Sequence, residues 1–412
     1  MLSKFTDRYF KDLPREVIAL TGVSFSVALG FGIVAPVIPV FAKTFEVSAF
    51  EASAVISVFA LMRFASATPS GWLVNKFGER TVLWIGLSIV AVSSALAGLS
   101  QSFEQLLVLR GLGGTGSSMF TVSAMSLLLR SVDAEHRGRA SSTYQSGFLF
   151  GSLAGPAVGG IVVAFSIRAP FFVYALTLTM AACVAYFALP KGLGRNERVE
   201  GFASAEPHIP LRAALKLREY WAALSYNLGS GVTTFGLRNA LLPLFVIDVL
   251  HQSAQISSIG FLFTSAAQAA CLLIAGRTTD MRGRKPSMSI GITLLLASMV
   301  LIFISESLVS YLAYMALVGA GMAFLSAGAS AVIGDVVAGR KGGPVVALYQ
   351  MTSDFGMIVG PLFAGFLLDS TGTYRAPFGM SVVIVAIVAI VIATMPETKS
   401  RRYTYQEVTR AS

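Results

Sequence analysis

Charged residues are scarce in this chain. Asp, Glu, Lys and Arg make up only 13% of its 412 residues, whereas 55% of the residues are hydrophobic. A soluble domain carries roughly 25% charged residues, and a soluble fold of this length could not hide so much apolar surface. The composition therefore excludes an ordinary soluble protein.

Cysteine and histidine are also rare, with two and three residues respectively. Cys183 and Cys271 fall in apolar segments, so a disulfide framework has no support and we expect both to be small buried hydrophobes. The sequence lacks HExxH, clustered His or Cys ligands and a GxxxxGK[ST] nucleotide loop. We expect no cofactor, no metal and no enzymatic activity, and keep a membrane-embedded enzyme or sensor as a distant alternative.

Long apolar runs, such as residues 82–99 and 382–395, dominate the chain instead. Each is close to the roughly 20 residues that cross a bilayer core. Their Gly, Pro and charged interruptions predict twelve membrane-spanning helices. The expected limits are 16–41, 50–73, 81–100, 105–129, 141–164, 169–190, 219–247, 255–275, 286–305, 309–336, 344–367 and 375–395.

The placement of the 31 Lys and Arg residues predicts the topology. Three lie in segments assigned outside (Lys43, Arg168, Arg375), three lie within spans (Arg63, Arg110, Arg238), and the other 25 lie in the termini and alternate loops. Because Lys and Arg resist translocation, both termini and the loop 191–218 are predicted to be cytoplasmic in a multi-pass protein of the cell (plasma or inner) membrane. The net charge of +10 then reflects orientation, and we expect no nucleic-acid partner.

Internal symmetry predicts the domain organisation. An offset of 205 residues brings glycines, a Tyr-Gln pair and a Gly-Pro pair into register: Gly71 with Gly276, Gly78 with Gly283, Tyr144 with Tyr349, Gly155 with Gly360 and Pro156 with Pro361. The first span needs an offset of 204, which aligns Pro39 with Pro243. The predicted fold is an all-α membrane protein of two parallel six-helix repeats, with its substrate site at their interface near the midplane.

Four segments follow from this repeat. Residues 1–190 are predicted to form the N-terminal bundle, 191–218 a cytoplasmic linker, 219–395 the C-terminal bundle and 396–412 a cytoplasmic tail.

The loop after the second span has a distinctive pattern of turn glycines and charges. Its residues are Gly71, Asn75, Lys76, Gly78 and Arg80, and the second copy carries Asp280, Gly283 and Arg284. Short positive-inside loops with turn glycines would explain either copy alone. Taken together over nearly the whole chain, the pattern resembles the major facilitator superfamily of transporters.

That resemblance implies a conformational lock. In the family, an acid in this loop contacts the end of span four, here Arg130, and the start of span eleven, here near Gly343. Asn75 replaces the acid in the first copy. Asn75 is able to cap a helix start but lacks the charge that would attract Arg130, so we expect a weakened lock.

Small residues line predicted span five at four-residue spacing. The set is Gly151, Gly155, Pro156, Gly159 and Gly160. The stripe permits close helix contact and the proline a bend, so a role in packing alone is one interpretation. The stripe also resembles the antiporter signature of drug:proton antiporters and other exporters in the family.

The first span carries a second such resemblance. Gly30, Pro36 and Pro39 resemble the first-span signature of twelve-span drug antiporters. The alternative is that the two prolines only kink the span.

Charges within spans mark the candidate pathway for substrate and protons, because a charge deep in a bilayer costs at least about 2.5 to 3.5 kcal/mol. Arg63 and Asp354 lie at matching depth in spans two and eleven, which predicts that they pair; contact with local polar groups or substrate is the alternative. Asp354 is the candidate proton carrier. Arg110 matches the family's span-four arginine, implicated in proton transfer, although the usual Gln is Gly113 here.

Arg238 and Asn239 of span seven complete the candidate pathway. Three arginines against one aspartate predict a basic interior, which favours an anionic or amphiphilic substrate over a purely cationic drug.

The sequence thus predicts a transporter in the lipid bilayer that exports a small organic molecule by alternating access, in exchange for protons. A uniporter or uptake permease of the same fold, for an organic anion or sugar, is the near alternative. The oligomeric state is left open, with a monomer as the expectation.

Overall fold

A computed structural model describes residues 14–132, 137–189, 211–337 and 343–398 of the chain. The predicted linker 191–218 lies outside the described residues up to residue 210, and the predicted tail 396–412 lies outside them from residue 399 onward.

The first six spans follow the sequence prediction closely. They are span one (Arg15–Val34 and Ile38–Lys43), span two (Ala49–Ala65 and Ala67–Phe77), span three (Glu79–Leu99), span four (Phe103–Arg130), span five (Arg137–Val163) and span six (Ala169–Ala188). Pro36 lies in the break of span one, and Pro39 lies in the first turn of the helix that follows it, where a missing N–H costs nothing.

A short helix, Leu211–Ala214, precedes the second six spans. Span seven is a series of segments: Arg218–Ser230, the π-helix Gly231–Leu237, Arg238–Ala240 and Leu242–Asp248. The others are span eight (Ala254–Met281), span nine (Arg284–Ile304), span ten (Leu308–Val337), span eleven (Gly343–Thr371) and span twelve (Arg375–Thr394).

Eleven of these helical stretches within the described residues are long and apolar enough to cross a membrane. The two helices of span two, which meet at an angle of 47°, supply the twelfth when counted as one bent span. The prediction of a twelve-helix membrane fold is confirmed.

The described residues form two compact units. The first takes its residues from Met1–Phe45 and Val58–Glu200, the second from Glu46–Ser57 and Gly201–Ser412. Within the first unit span one packs on spans five and six, and span three on spans four and six. Within the second, span seven packs on spans eleven and twelve, and span nine on spans ten and twelve, which is the same arrangement.

Two contacts show how closely the repeats match. A Cβ built on Gly32 would lie 3.0 Å from Cδ of Pro156, and a Cβ built on Gly236 would lie 3.0 Å from Cδ of Pro361. Each glycine therefore lets one helix of its unit approach the bend-permitting proline of another.

Aromatic pairs repeat in the same way. The ring centroids of Phe41 and Phe171 are 5.1 Å apart in the first unit, and those of Phe245 and Phe378 are 5.2 Å apart in the second. All four side chains are buried. Each pair joins the first span of its unit to the last, at a separation typical of stabilising aromatic contacts.

Large apolar side chains cover much of the surface, as expected of helices that face lipid rather than water. Phe165, Phe187 and Leu273 are each more than three-quarters exposed. Cys183 shares this outward-facing position and Cys271 is only half-buried, so the prediction that both cysteines are buried was wrong. Apolar periodicity is weak in a span that is hydrophobic all round, and it therefore does not distinguish the lipid face from the core.

The start of span two belongs to the second unit because Asp369, at the end of span eleven, caps it. The two carboxylate oxygens accept hydrogen bonds from the backbone N–H groups of Ala49 at 2.9 Å and Phe50 at 2.7 Å. Gly365, one turn earlier, allows this approach, because a Cβ there would lie 2.7 Å from Cα of Phe50. An acid is favoured at this position by the unsatisfied N–H groups and the positive end of the helix dipole.

Asp248, a second acid of the same unit, accepts a hydrogen bond from the turn between spans eleven and twelve. The Tyr374 hydroxyl donates to the Asp248 carboxylate at 2.6 Å. Burial raises the pKa of the Tyr374 phenol, and the bond to Asp248 raises it further, so this hydroxyl stays a donor throughout the physiological range.

Candidate functional site

Arg110 is the buried charge of the first unit. It lies in span four with only 3% of its surface exposed, and its guanidinium sits 4.5 Å from the ring centroid of Phe59 in span two. The Tyr174 phenol of span six lies within electrostatic reach of the charge. The described residues give the Nε of Arg110 no hydrogen-bond partner.

Glycines let span four, which carries Arg110, approach span three closely. A Cβ on Gly113 would lie 3.0 Å from the Ser93 hydroxyl, and one on Gly116 would lie 2.6 Å from the carbonyl oxygen of Gly86. Gly113 occupies the position where the resemblance leads one to expect Gln. A Gln side chain there would have to displace the Ser93 hydroxyl. Arg110 has the aromatic face of Phe59 beside it instead of that amide.

Gly30 of the first-span motif has a comparable effect on Tyr174. A Cβ on Gly30 would overlap the Tyr174 ring and the Thr177 hydroxyl. The glycine therefore lets span six bring Tyr174 against span one, where it remains in reach of Arg110.

Arg238 is the buried charge of the second unit. It is 8% exposed, and its guanidinium lies 5.0 Å from the ring centroid of Phe261 in span eight and 6.0 Å from that of Phe235. Tyr311 and Tyr314 of span ten lie within electrostatic reach. Among the described residues no carboxylate pairs with Arg238.

The backbone that carries Arg238 is irregular. Its N–H bonds to the carbonyl of Thr233, five residues earlier, at the end of the π-helix. Gly231 and Gly236 bring this wide turn against span eleven, where a Cβ on Gly231 would lie 3.0 Å from Cα of Gly356. Single π-turns are frequent at functional sites, because they change which side chains face inward.

Several buried polar atoms around Arg238 have no hydrogen-bond partner within the described part of the chain. They are Arg238 Nε, Asn239 Oδ1, the Tyr314 hydroxyl, and the hydroxyls of Ser257 and Ser258. Buried polar atoms in folded proteins are nearly always bonded, so a cluster of exceptions indicates a site that requires something further.

Arg63 and Asp354 are half-buried in their spans. They belong to different units, and their pairing stays a prediction.

The span-five stripe packs on span one of the same unit. A Cβ on Gly155 would lie 2.7 Å from the carbonyl oxygen of Leu29, and one on Gly159 would lie 3.0 Å from that of Ile33. Gly151 meets the carbonyl oxygen of Phe25 in the same way. Because these atoms are backbone, they are unable to yield to a larger residue. Gly160 is only half-buried and lies beside this seam.

The loop after span two contains an ion pair that the sequence analysis missed. Gly78, with φ of 84°, ends span two, and Glu79 begins span three. Glu79 is 3% exposed and its carboxylate lies 3.0 Å from the guanidinium of Arg130, with the Ser126 hydroxyl bonded at 3.1 Å. Arg130 therefore pairs with a carboxylate of its own unit. The weakened lock expected from Asn75 stays a prediction.

The basic residues of this loop lie against aromatic rings. Arg80 stacks 5.0 Å from the ring centroid of Tyr186 and also donates to its carbonyl oxygen, and Lys76 lies 4.8 Å from the ring of Trp72. Asn75 is exposed, and its contact with the start of span eleven stays a prediction.

The corresponding loop of the second unit has the same layout with opposite charges. Gly283, with φ of 119°, precedes Arg284, whose guanidinium forms two bonds to Asp335, at 2.8 and 3.2 Å. Asp280 is exposed and has no bond to any described residue, so its role in a lock stays a prediction.

Glu397 completes this cluster of the second unit. Its carboxylate accepts the backbone N–H groups of Arg284 at 2.9 Å and Lys285 at 3.1 Å, and so caps span nine. The Thr398 hydroxyl donates to Asp335 at 2.7 Å. The end of span twelve is thereby tied to the ion pair.

Comparison with known proteins agrees with this geometry. The model of the Major Facilitator Superfamily matches residues 20–267 and again residues 229–410. The chain belongs to the major facilitator superfamily. It is 25% identical over 386 residues to multidrug resistance protein 1 of Bacillus subtilis, covering 91% of this chain and 95% of the relative. It is 24% identical over 364 residues to an uncharacterised transporter of this superfamily from Methanocaldococcus jannaschii, covering 87% and 93%.

A solved structure of the same fold supports the assignment. The crystal structure of a bacterial homologue of the human lysosomal transporter Spinster, inward-facing and unoccupied, superposes with a TM-score of 0.75 at 16% identity, over 92% of this facilitator and 96% of that chain. At that identity the likeness establishes the fold alone. The protein is therefore a multi-pass membrane transporter of the major facilitator superfamily.

The residues missed in the sequence of this facilitator share one property. Glu79, Asp335 and Glu397 lie near helix ends. In a sequence, an acid at such a position is usually interpreted as a solvent-exposed helix cap. The repeat offset was the available signal, because 205 residues separate Glu79 from Arg284 and Arg130 from Asp335. A charge reversal at both aligned positions predicts a pair in each half.

Proposed function

We propose that this facilitator exports a small organic molecule in exchange for protons. The seam between spans one and five carries the proposal. Gly151, Gly155 and Gly159 meet backbone atoms of span one along three successive turns, and Pro156 lies at Gly32. This seam is the part of the chain that resembles the exporter signature, and the Bacillus subtilis relative is named a multidrug resistance protein.

Spans one and five touch through glycine and backbone atoms, and such a contact favours the rocking motion that alternating access needs. Glycine surfaces without interdigitating side chains leave two helices free to tilt as one element, and Pro156 marks the point of bending. The same seam recurs between spans seven and eleven at Gly236 and Pro361. Each unit then moves as one bundle in the proposed cycle.

Protons are proposed to couple through Asp354. A carboxylate in a span exists in charged and neutral forms whose interactions differ, so proton binding favours one arrangement of its surroundings over another. Arg63, Arg110 and Arg238 supply the positive charges of the proposed pathway. The lock residues of the two loops then limit which arrangement is stable at the cytoplasmic side, with both termini cytoplasmic in a cell membrane.

Flux in inverted membrane vesicles tests this proposal. A panel of organic anions, lipids and a hydrophobic cation such as ethidium is offered to vesicles with an imposed pH gradient, acidic inside. We expect at least one compound to accumulate in wild-type vesicles and not in empty ones. Asp354→Asn should abolish the dependence on the gradient.

Glu306→Gln is the matched control, because Glu306 is an exposed carboxylate between spans nine and ten, 46% exposed at its side chain. It should transport as the wild type does. Accumulation that ignores the gradient in wild type and Asp354→Asn alike would contradict antiport and favour a uniporter. A panel in which no compound exceeds empty vesicles would contradict export.

A further inference from the structure

The cluster around Arg238 is built for an occupant that the described part of the chain does not supply. Only 8% of the Arg238 surface is exposed, so more than nine-tenths of the residue is buried. Its guanidinium lies over two aromatic rings, those of Phe235 and Phe261. Aromatic faces attract a cation but accept no hydrogen bonds in the plane of the guanidinium. The Nε–H of the arginine therefore has no acceptor among the described residues.

The unpaired atoms nearby are mainly hydrogen-bond donors. Arg238 Nε and the Tyr314 hydroxyl both carry a hydrogen, and neither has an acceptor among the described residues. The Tyr311 hydroxyl differs, because it donates to the carbonyl of Ser257 at 3.4 Å. The Ser257 and Ser258 hydroxyls also carry a hydrogen, so the donors outnumber the one atom that only accepts, Asn239 Oδ1. The site therefore requires acceptor atoms.

Charge selects the kind of acceptor. A buried guanidinium without a counterion is unfavourable, and a single negative charge neutralises it. A dianion would leave a net negative charge among Phe261, Tyr311 and Tyr314. A carboxylate fits best, since its two oxygens match the fork of a guanidinium and its charge is one.

The walls of the site define the rest of the ligand. Phe261 of span eight lies against the guanidinium, and Tyr314 of span ten is fully buried. These rings favour a flat, apolar body attached to the acid.

We propose that Arg238 and Tyr314 form the anion subsite of the transported molecule, which is an organic monocarboxylate with an aromatic or other flat apolar body. The proposal rests on the function proposed above and names its substrate class. Arg238 binds the carboxylate through its N–H edge, the Tyr314 hydroxyl donates a further bond, and Phe261 contacts the apolar part.

Binding to the purified full-length protein in detergent tests the subsite. Dissociation constants are measured for benzoate, 2-naphthoate and indole-3-acetate, each beside its neutral primary amide. We expect at least one acid to bind about 10-fold or more tightly than its amide, because a bond to a charged partner is the stronger kind. Arg238→Gln should bring acid and amide within about twofold of each other, with the charge contribution gone.

Two tyrosine variants test the subsite independently, in case Arg238→Gln folds poorly. Tyr314→Phe removes a hydroxyl that has no partner in the described part of the chain. It should therefore leave the melting temperature unchanged yet weaken acid binding by about three- to tenfold. Tyr311→Phe is the matched control, since its hydroxyl already bonds Ser257, and it should keep the preference for acids.

Equal binding of acids and amides by the wild type overturns the subsite, as does an acid preference that survives in both Arg238→Gln and Tyr314→Phe. The vesicle experiment and the binding experiment have separate outcomes. A protein that exports another compound but binds no carboxylate refutes only the subsite, and one that binds carboxylates but moves nothing refutes only export.

Discussion

Glu79 forms a 3.0 Å ion pair with Arg130 at the positions that Arg284 and Asp335 occupy in the second half of the chain, where the charges are exchanged. Each pair joins the start of one span to the end of the next. The acid is nearly buried in the first pair, while both partners are part-buried in the second. Duplicated halves have therefore kept the geometry of the contact and reversed its sign.

A charge swap tests the first pair. Arg130→Glu places two carboxylates together and should lower stability by about 2 kcal/mol, between the small value of an exposed pair and the larger loss for a buried one. Combining it with Glu79→Arg should recover most of that loss. The melting temperatures of the purified single and double variants measure it, and a double variant as unstable as the two losses added together would refute the pairing.

The Glu397 cap should be separable into charge and bonding. Glu397→Ala removes both acceptors of the N–H groups of Arg284 and Lys285, and should cost about 1 to 2 kcal/mol. Glu397→Gln keeps one acceptor and should cost about half as much, mostly the attraction to the helix dipole. Thermal unfolding of the two variants measures the order, and equal losses would argue that only the charge matters.

The seam between spans one and five should not tolerate a single methyl group. Gly155→Ala brings a Cβ to 2.7 Å from the Leu29 carbonyl, and we expect about 1 to 3 kcal/mol of destabilisation and a clear loss of flux. Gly22→Ala, also in the first unit, is the matched control, because a Cβ there meets no described atom within 4 Å. Flux and melting temperature should both distinguish the two variants, and equal behaviour would contradict a tight seam.

The aromatic face under Arg110 should matter beyond its volume. Phe59→Leu keeps an apolar side chain but removes the ring, and should cost about 1 kcal/mol more than Phe120→Leu, the value of a desolvated cation–π contact. Phe120 is a similarly buried phenylalanine that contacts Phe148. Melting temperatures compare the variants directly. If adding Arg110→Gln leaves the gap between them unchanged, the ring and the arginine are not coupled.

The outward-facing cysteine gives a test of the lipid face. Cys183→Leu should change stability by less than about 0.5 kcal/mol, as surface substitutions do. Ala181→Leu, two residues earlier and fully buried, should cost about 1 to 3 kcal/mol through overpacking. A large loss for Cys183→Leu in the unfolding assay would place this face against protein.

The sequence by itself determined the membrane class, the twelve spans and the duplication. These follow from hydropathy, Gly and Pro positions and the placement of Lys and Arg, because a bilayer imposes its length and charge rules on each span separately. It also singled out Arg110 and Arg238, since a charge within an apolar run stands out without knowledge of its neighbours.

Only the tertiary structure decided which side chains meet. Glu79 and Arg130 are 51 positions apart, and Arg238 of span seven contacts the ring of Phe261 in span eight. Such contacts depend on how far each helix is rotated about its axis. Glycine contacts between helices set that rotation, and a helix that is apolar on every face leaves it undetermined in the sequence.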